Sequence, residues 1–580
     1  MAALVNAIDN YTPTQMGENN HQEYTWSNNI REKMVQFHMQ MVRTTGDKVD
    51  NLAIKLNEIL STIITEHNTG KISKREKIDM LSIMYKMIGF TRDIIDGKGE
   101  YTLTYMMIYE WYKFYPDLSK LALKLCVISE TEHQYGSWKD IKYLCNYCKS
   151  KTHQIDHDLI KHAILLTNDQ LKVDIGSNTP SLLARWIPRE KSKKFGWLFQ
   201  ELAVDYFKQY MLSVKNAEKV KCAMKKCFTE YRAICSGLNR KLDTVQIKQC
   251  SLKWCDIDPT KQTSITMHKQ KSAFLNKNKK GMQRSTDPDR TECAEHFKEY
   301  IEKAVKGEVK VKGKCIGMND FTKNALELNN LKLNNDLNKD EINLLNAQWR
   351  DNSSYTGALE NMIAMVDTSG SMFGEPFNAA VALGIRVAEK SLLGKRVLSF
   401  ATKASWINLD PYDNFVDMVD ALYKTSLNAG TSTNIYAAFD LILQAARQQK
   451  LPASKVNNMI FAIFSDMQIN VADKNFYSLY DGIEKKYAEA GMKICGEPYS
   501  PPHLLFWNLK STDGFPTLSS QKNTSYMSGF SPSLLNLFCQ QGLDALKDCT
   551  PWKLLLTSLS NPRYKIMEDH LKLNLMCQTS

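Results

Sequence analysis

The stretch Asn361 to Met372, NMIAMVDTSGSM, decides how this chain is read. An apolar run, Met362 to Val366, ends on Asp367, and Ser369 and Ser371 follow with Gly370 between them. A short apolar run bounded by turn residues predicts a buried strand. Pro376 to Leu393 carries apolar residues at helical spacing, and Pro376 suits a first helical turn. The Asp-x-Ser-x-Ser cluster therefore falls on a strand-to-helix loop at the carboxyl end of a strand, where open α/β sheets place their ligand sites. One carboxylate and two hydroxyls are hard oxygen donors. They suit Mg²⁺ or Mn²⁺ rather than zinc.

Alone, that cluster is unspecific, because such residues fill ordinary turns. Two later segments sharpen it. Gly430-Thr431-Ser432-Thr433 opens a helical pattern from Asn434 to Gln448, and Asn458 to Asp466 is a second buried-strand run ending on an aspartate. Three loops then offer oxygen ligands from the same edge of one sheet. The pattern resembles the von Willebrand factor A (vWA) domain and its metal-ion-dependent adhesion site (MIDAS), Asp-x-Ser-x-Ser, then Thr, then Asp. The resemblance implies Asp367, Ser369, Ser371, Thr431 and Asp466 as the five site positions, with Asp466 acting through water. It also implies Mg²⁺ or Mn²⁺ as the cofactor, and a protein partner that supplies an acidic residue to the ion.

Around these segments strands and helices alternate. Strands are expected at 361–367, 395–401, 405–409, 458–466, 503–509 and about 524–527. Helices are expected at 376–392, 412–424, 434–448 and 475–490. Alternation of this kind predicts a mostly parallel, doubly wound sheet in a domain spanning 356–580.

The preceding residues read differently. Residues 1–25 are polar and are expected to be a mobile arm. Residues 26–306 are helical in pattern almost throughout, with turns at Asn68-Thr69-Gly70 and Asp96-Gly97-Lys98-Gly99, as in a HEAT-like array. Three signatures stand out there: RDIIDGKGE (Arg92 to Glu100), YGSWKDIKYL (Tyr135 to Leu144) and LLARWIPREKSKKFGWLF (Leu182 to Phe199). Ser137 is expected to cap the helix that follows it. Residues 307–355 are Asn/Lys-rich and read as a polar linker with short helices. The fold class expected is thus α + α/β, a helical array followed by a doubly wound, Rossmann-like domain.

Residues 185–285 hold about 23 Lys/Arg against about 8 Asp/Glu, a local charge of about +15, with Trp186, Trp197 and Trp254 interleaved. Arg185, Arg189, Lys191, Lys193, Lys194, Lys277, Lys279 and Lys280 are the candidates for contacting RNA phosphate. A helical array followed by one A domain is similar to Ro autoantigen (TROVE-type) proteins, which implies RNA binding as the alternative function. The GKGE, YGSWKD and ARWIP stretches look closer to an uncharacterised A-domain family of large DNA viruses and some eukaryotes. That resemblance implies a viral or virus-related protein.

Composition narrows the rest. The chain has 580 residues, a net charge of +12 and a pI near 8.8, which permits an RNA or acidic-protein partner without demanding one. Fourteen dispersed cysteines and no signal-like or spanning apolar run lead us to expect a reduced, cytoplasmic protein with no membrane partner, in the host cytoplasm or virion if viral. Cys145-x-x-Cys148 has ligand spacing but no second pair, so packing is the expected role. There is no Gly-x-Ser-x-Gly, phosphate loop or His-Glu-x-x-His, and no histidine near Ser369 or Ser371 in sequence. A non-enzymatic binding or scaffold protein is the expectation.

Overall fold

The structure, a computed structural model, describes residues 12–17, 21–129, 133–212, 216–278, 281–332, 338–359, 361–430, 432–469, 479–539 and 546–577. Residues 12–25, where described, form a hairpin rather than a free arm. Strand β1 (Thr14–Met16) pairs antiparallel with β2 (Gln22–Tyr24). Tyr24 and Phe515 exchange two backbone hydrogen bonds of 3.0 Å, which stitches the hairpin to a distant loop. Its polar composition is compatible with order because its side chains pair with one another, as Gln22 Nε2 donates to Thr14 Oγ1 at 2.8 Å.

Helices α1 (Ile30–Gln40), α2 (Asp47–Asn68), α3 (Lys74–Arg92), α4 (Tyr101–Tyr112), α5 (Pro116–Val127), α6 (Lys139–Thr152), α7 (Asp158–Gly176), α8 (Gly196–Tyr206) and α9 (Ala217–Lys241) follow, each packed on the next. The caps are local: Asn29 accepts from the backbone of α1, Ser73 and Glu76 form a capping box on α3, and Pro116 opens α5. Ser137 does not cap α6 with its hydroxyl. Its N–H instead donates to Asp140 Oδ2 at 2.8 Å. Helices α10 (Ser264–Phe274) and α11 (Pro288–Val305) gather a small separate core with Phe274, Phe297, Ile301 and Leu344.

Helices α12 (Met318–Lys332) and α13 (Lys339–Ser353) occupy the stretch expected to be a linker. Beyond them come β3 (Met362–Asp367), α14 (Glu375–Lys390), β4 (Arg396–Phe400), β5 (Ala404–Asn408), α15 (Phe415–Ser426), α16 (Ile435–Gln449), β6 (Ile460–Ser465), α17 (Leu479–Cys495), β7 (His503–Asn508), β8 (Thr524–Ser528), α18 (Pro551–Ser558) and α19 (Lys565–Cys577). The linker reading gives way because Phe321, Leu345 and Trp349 are buried against this unit: Trp349 stacks on Phe415 with ring centroids 3.9 Å apart, and its Nε1 donates to Glu389 at 2.9 Å.

The sheet runs β5-β4-β3-β6-β7-β8, parallel throughout except for the β4/β5 pair at one edge. Every residue of β3, β6, β7 and β8 is buried, as a parallel sheet covered on both faces requires. Val366 pairs with Phe464 and Ser465 with Asn508, so the carboxyl ends of β3, β6 and β7 lie at one level. The architecture is thus an N-terminal helical array and a C-terminal mixed sheet of six strands flanked by helices.

The two parts share one continuous apolar core. Helix α1 lies along β8, which covers an edge that would otherwise be open to pairing. At this junction the buried Lys98 ammonium donates to His38 O, Met41 O and Ser528 Oγ at 2.6–3.0 Å. Gly97 makes the approach possible, because a Cβ there would fall 2.1 Å from Phe90 O. Helix α19 returns to α3, where Lys86 meets Glu568 at 2.9 Å. Just before α19, Arg563 pairs with the buried Asp93 at 2.8 Å. The GKGE and YGSWKD signatures are therefore structural in large part. Arg92 holds Asp140 in a two-pronged ion pair, and Glu100 holds Arg43. No helix among the described residues is long and apolar enough to cross a membrane.

Candidate functional site

Two of the parallel strands end on buried acids. Asp367 closes β3, and Asp466 follows β6 directly. Asp367 Oδ1 accepts the Ser369 N–H at 2.9 Å, and Oδ2 accepts the Ser465 hydroxyl at 2.6 Å. The first bond folds the loop so that the Ser369 and Ser371 hydroxyls converge to 3.1 Å. Asp466 Oδ1 accepts the Gln468 N–H at 3.2 Å. Its Oδ2 is buried and accepts no hydrogen bond among the described residues. Met467 stands between them in the left-handed region at φ 61°, an uncommon conformation for a non-glycine residue.

The electrostatics of the pair are unfavourable as they stand. Burial, and then the charge of Asp466, push the Asp367 carboxyl up to about 7, against the hydrogen bonds from Ser465 and Ser369. Two buried carboxylates with hydroxyls beside them form a donor set that a hard divalent cation fits. The buried Asp466 Oδ2, which accepts no hydrogen bond and has the Lys510 ammonium 3.5 Å away, is the structural observation that supports the fit. Among the described residues no group of three or more His, Cys, Asp or Glu that could hold a metal ion converges, and the oxygen donors at this edge are two carboxylates and hydroxyls.

Thr431 lies outside the described residues, but its neighbours are placed. Gly430 sits at φ +88°, and a Cβ there would fall 2.3 Å from Thr402 Oγ1. Ser432 Oγ lies 2.8 Å from that same hydroxyl, and Asn434 N donates to Ala401 O at 2.9 Å. Gly430, Ser432 and Asn434 therefore lie at the carboxyl end of β4, next to β3.

Lys510 was missed from the sequence. It follows β7 by two residues. Its Nζ donates to Ser371 O at 2.9 Å and stands 3.5 Å from Asp466 Oδ2. A lysine just past the end of a buried strand was the available signal. Beside the site, Gln468 and the 511–514 loop line a cleft of about 650 Å³ that continues along β1, β2 and α2. Phe373, directly after the serine loop, is 91% exposed.

The basic candidates separate into two groups. Arg189, Lys191, Lys193 and Lys194 are exposed, and Arg185 is half-buried over Trp186. Lys194 and Lys142 both lie near the Tyr143 and Phe195 rings. Lys277 is half-buried in a β-bridge with Gln283, next to the small core, while Lys279 and Lys280 lie outside the described residues. Trp186, Trp197 and Trp254 are each half-buried, with Lys142, Lys149 and Arg290 against their rings. Cys145 and Cys148 are buried in α6, and burial pushes the Cys148 thiol up to about 12, which fits packing.

Residues 361–554 match a domain of unknown function, DUF7788, and this stretch contains Asp367, Ser369, Ser371, Asp466 and Lys510. Over 488 residues the chain is also 28% identical to "Uncharacterized protein L728" of Acanthamoeba polyphaga mimivirus, an alignment covering 80% of this chain and 77% of that protein.

Proposed function

We propose that this is a non-enzymatic binding or scaffold protein, whose C-terminal sheet works as a vWA-type module holding a divalent cation, Mg²⁺ or Mn²⁺. The supporting observation is the buried Asp367–Asp466 pair, in which Asp466 Oδ2 accepts no hydrogen bond, together with the Ser369 and Ser371 hydroxyls 3.1 Å apart on the loop after Asp367. Asp367 would be the direct carboxylate ligand, Ser369 and Ser371 the hydroxyl ligands, and Asp466 a ligand through water. Thr431, which lies outside the described residues, is the remaining ligand of the proposed set. The cation would supply positive charge and an open position for an acidic residue of a protein partner. The chain's own residues do the rest. The Ser369 N–H and the Ser465 hydroxyl fix the Asp367 carboxylate, and the loop brings the Ser369 and Ser371 hydroxyls within 3.1 Å of each other.

Titration calorimetry tests this. Wild type should bind Mg²⁺ or Mn²⁺, and Asp367→Ala should lose that binding while keeping the fold by circular dichroism. Equal binding by both proteins would reject the assignment. Thr431→Ala should weaken binding less, since water can replace a neutral ligand.

A second reading is RNA binding on the helical array. It is favoured by the exposed Lys191, Lys193 and Lys194, next to the Tyr143, Phe195 and Trp186 rings. RNA retardation that survives EDTA and is lost at high salt would support it. No retardation at 50 mM salt would reject it.

A further inference from the structure

Lys510 brings a positive charge of the chain's own to the carboxylate pair. Its ammonium lies between the serine loop and Asp466, 2.9 Å from Ser371 O and 3.5 Å from the buried Asp466 Oδ2. We infer that Lys510 is a built-in counter-ion of this site, competing with a divalent cation for the carboxylate pair, and that the helical array sets its position. The inference rests on the reading that the site takes a divalent cation.

Charge gives the first argument. An ammonium this close lowers the energy of the paired carboxylates when no cation is bound. The same ammonium repels a divalent ion held by the same oxygens. The Lys510 side chain is 35% exposed while that of Asp466 is fully buried, so the ammonium has a route to solvent and the carboxylate does not. Swinging out is therefore open to the lysine alone.

The backbone gives the second argument. Lys510 N–H donates to Asn508 Oδ1 at 3.1 Å, and the buried Asn508 Nδ2 donates to Met39 O at 3.0 Å, at the end of α1. The next two residues are tied to the array as well. Ser511 O accepts Lys48 Nζ at 2.7 Å, and Gln40 Oε1 accepts the Thr512 N–H at 2.7 Å. On its other side, the Thr512 hydroxyl donates to Asp466 O at 3.4 Å. One short loop thus touches Asp466 of the acidic pair, carries the competing lysine and is anchored by the N-terminal helices. Cation occupancy and the packing of this loop on the array are then linked, and the linkage is reciprocal.

The full chain tests this by Mn²⁺ titration calorimetry and by thermal unfolding with EDTA or Mn²⁺. Lys510→Gln should bind Mn²⁺ at least about tenfold tighter, the low end of what one charge within about 4–6 Å does to a neighbouring ionisation. Lys510→Arg keeps the charge and should stay near wild type. Gln40→Ala, which loosens the loop, should tighten binding by less. In EDTA, Lys510→Gln should melt below wild type, and Mn²⁺ should close the gap. If that variant fails to fold in EDTA, recovery on refolding with Mn²⁺ supports the inference and no recovery overturns it. Wild-type binding with equal or weaker binding by Lys510→Gln would overturn the competition while leaving the cation site standing. Binding by Lys510→Gln alone would support it. No binding by any variant would overturn the cation reading, and the inference with it.

Discussion

Asp140 in the helical array and Asp367 at the end of the sheet are both buried, with 1% and 0% of their surface exposed. Their surroundings differ in kind. Asp140 is enclosed by its own cation and donors: Arg92 grips both oxygens, and the Tyr105 hydroxyl and Ser137 N–H complete its shell. Asp367 receives two hydrogen bonds but faces a second carboxylate, Asp466, whose charge adds to the cost of its own burial. The first is a finished structural joint. The second is a pair of buried acids whose neighbouring cation, Lys510, stands 3.5 Å from Asp466; in our proposal a divalent cation takes that place. Burial of an acid is thus uninformative by itself, and the identity of its counter-ion separates a brace from a candidate site.

This contrast can be broken experimentally. The largest effect is expected at the finished joint. Arg92→Met should cost about 3–5 kcal/mol in chemical denaturation, because it strands a buried carboxylate. Adding Asp140→Asn should recover part of that loss. At the sheet edge the sign should reverse. In EDTA, Asp367→Asn should stabilise the protein by about 1–3 kcal/mol, since it removes one of two adjacent buried charges. Adding Mg²⁺ at a hundredfold over its Kd should stabilise wild type by about 2.7 kcal/mol and leave Asp367→Asn unmoved. A large loss of stability in Asp367→Asn would make the two aspartates alike and remove the contrast.

The joint between array and sheet gives a smaller effect that depends on pH. Burial pulls the Lys98 ammonium down to about 7 from an ordinary value of 10.5, with the Glu100 charge opposing weakly. Between those values the unfolded chain binds a proton that the folded one does not. Stability attributable to Lys98 therefore rises with pH from about 7 to 10.5, and below 7 the buried charge is present at its full cost. Comparing wild type with Lys98→Met by denaturation at several pH values should show a wild-type slope steeper by up to about 1.4 kcal/mol per pH unit. Equal slopes would mean that the three oxygens around the ammonium fully offset its burial. The smallest effect is expected on the exposed basic face. Changing Lys191, Lys193 and Lys194 to Gln should alter stability by less than about 0.5 kcal/mol. The same change should lower the log–log salt slope of any RNA binding by about 2.

Local pattern made much of the C-terminal unit legible. Apolar runs at 361–367 and 458–466 mark β3 and β6 because a parallel strand buried on both faces has no polar positions to interrupt it. The acids and serines that follow were visible for the same reason, since a break in such a run marks the sheet's carboxyl edge. Helices in the Asn-rich stretch before β3 are legible, but its mean polarity hides the few apolar positions, Phe321 and Trp349 among them, that bury it against the sheet unit. The paired strands β1 and β2 gave no apolar signal, because backbone pairing with each other and with Phe515 holds them.

By itself, the sequence determined which residues end the strands: short-range periodicity puts Asp367 and Asp466 at the carboxyl ends of β3 and β6, with Ser369 and Ser371 in the loop that follows Asp367. Tertiary structure alone decided what surrounds them. Lys510 reaches Asp466 across a strand boundary, Asn508 and Gln40 tie its loop to the first helix, and Arg92 finds Asp140 nearly fifty positions away. The physical reason is one of range. Hydrophobic periodicity acts within a single element and is written in consecutive residues. Neutralisation of a buried charge depends on which distant side chain the packed core brings within a few ångströms.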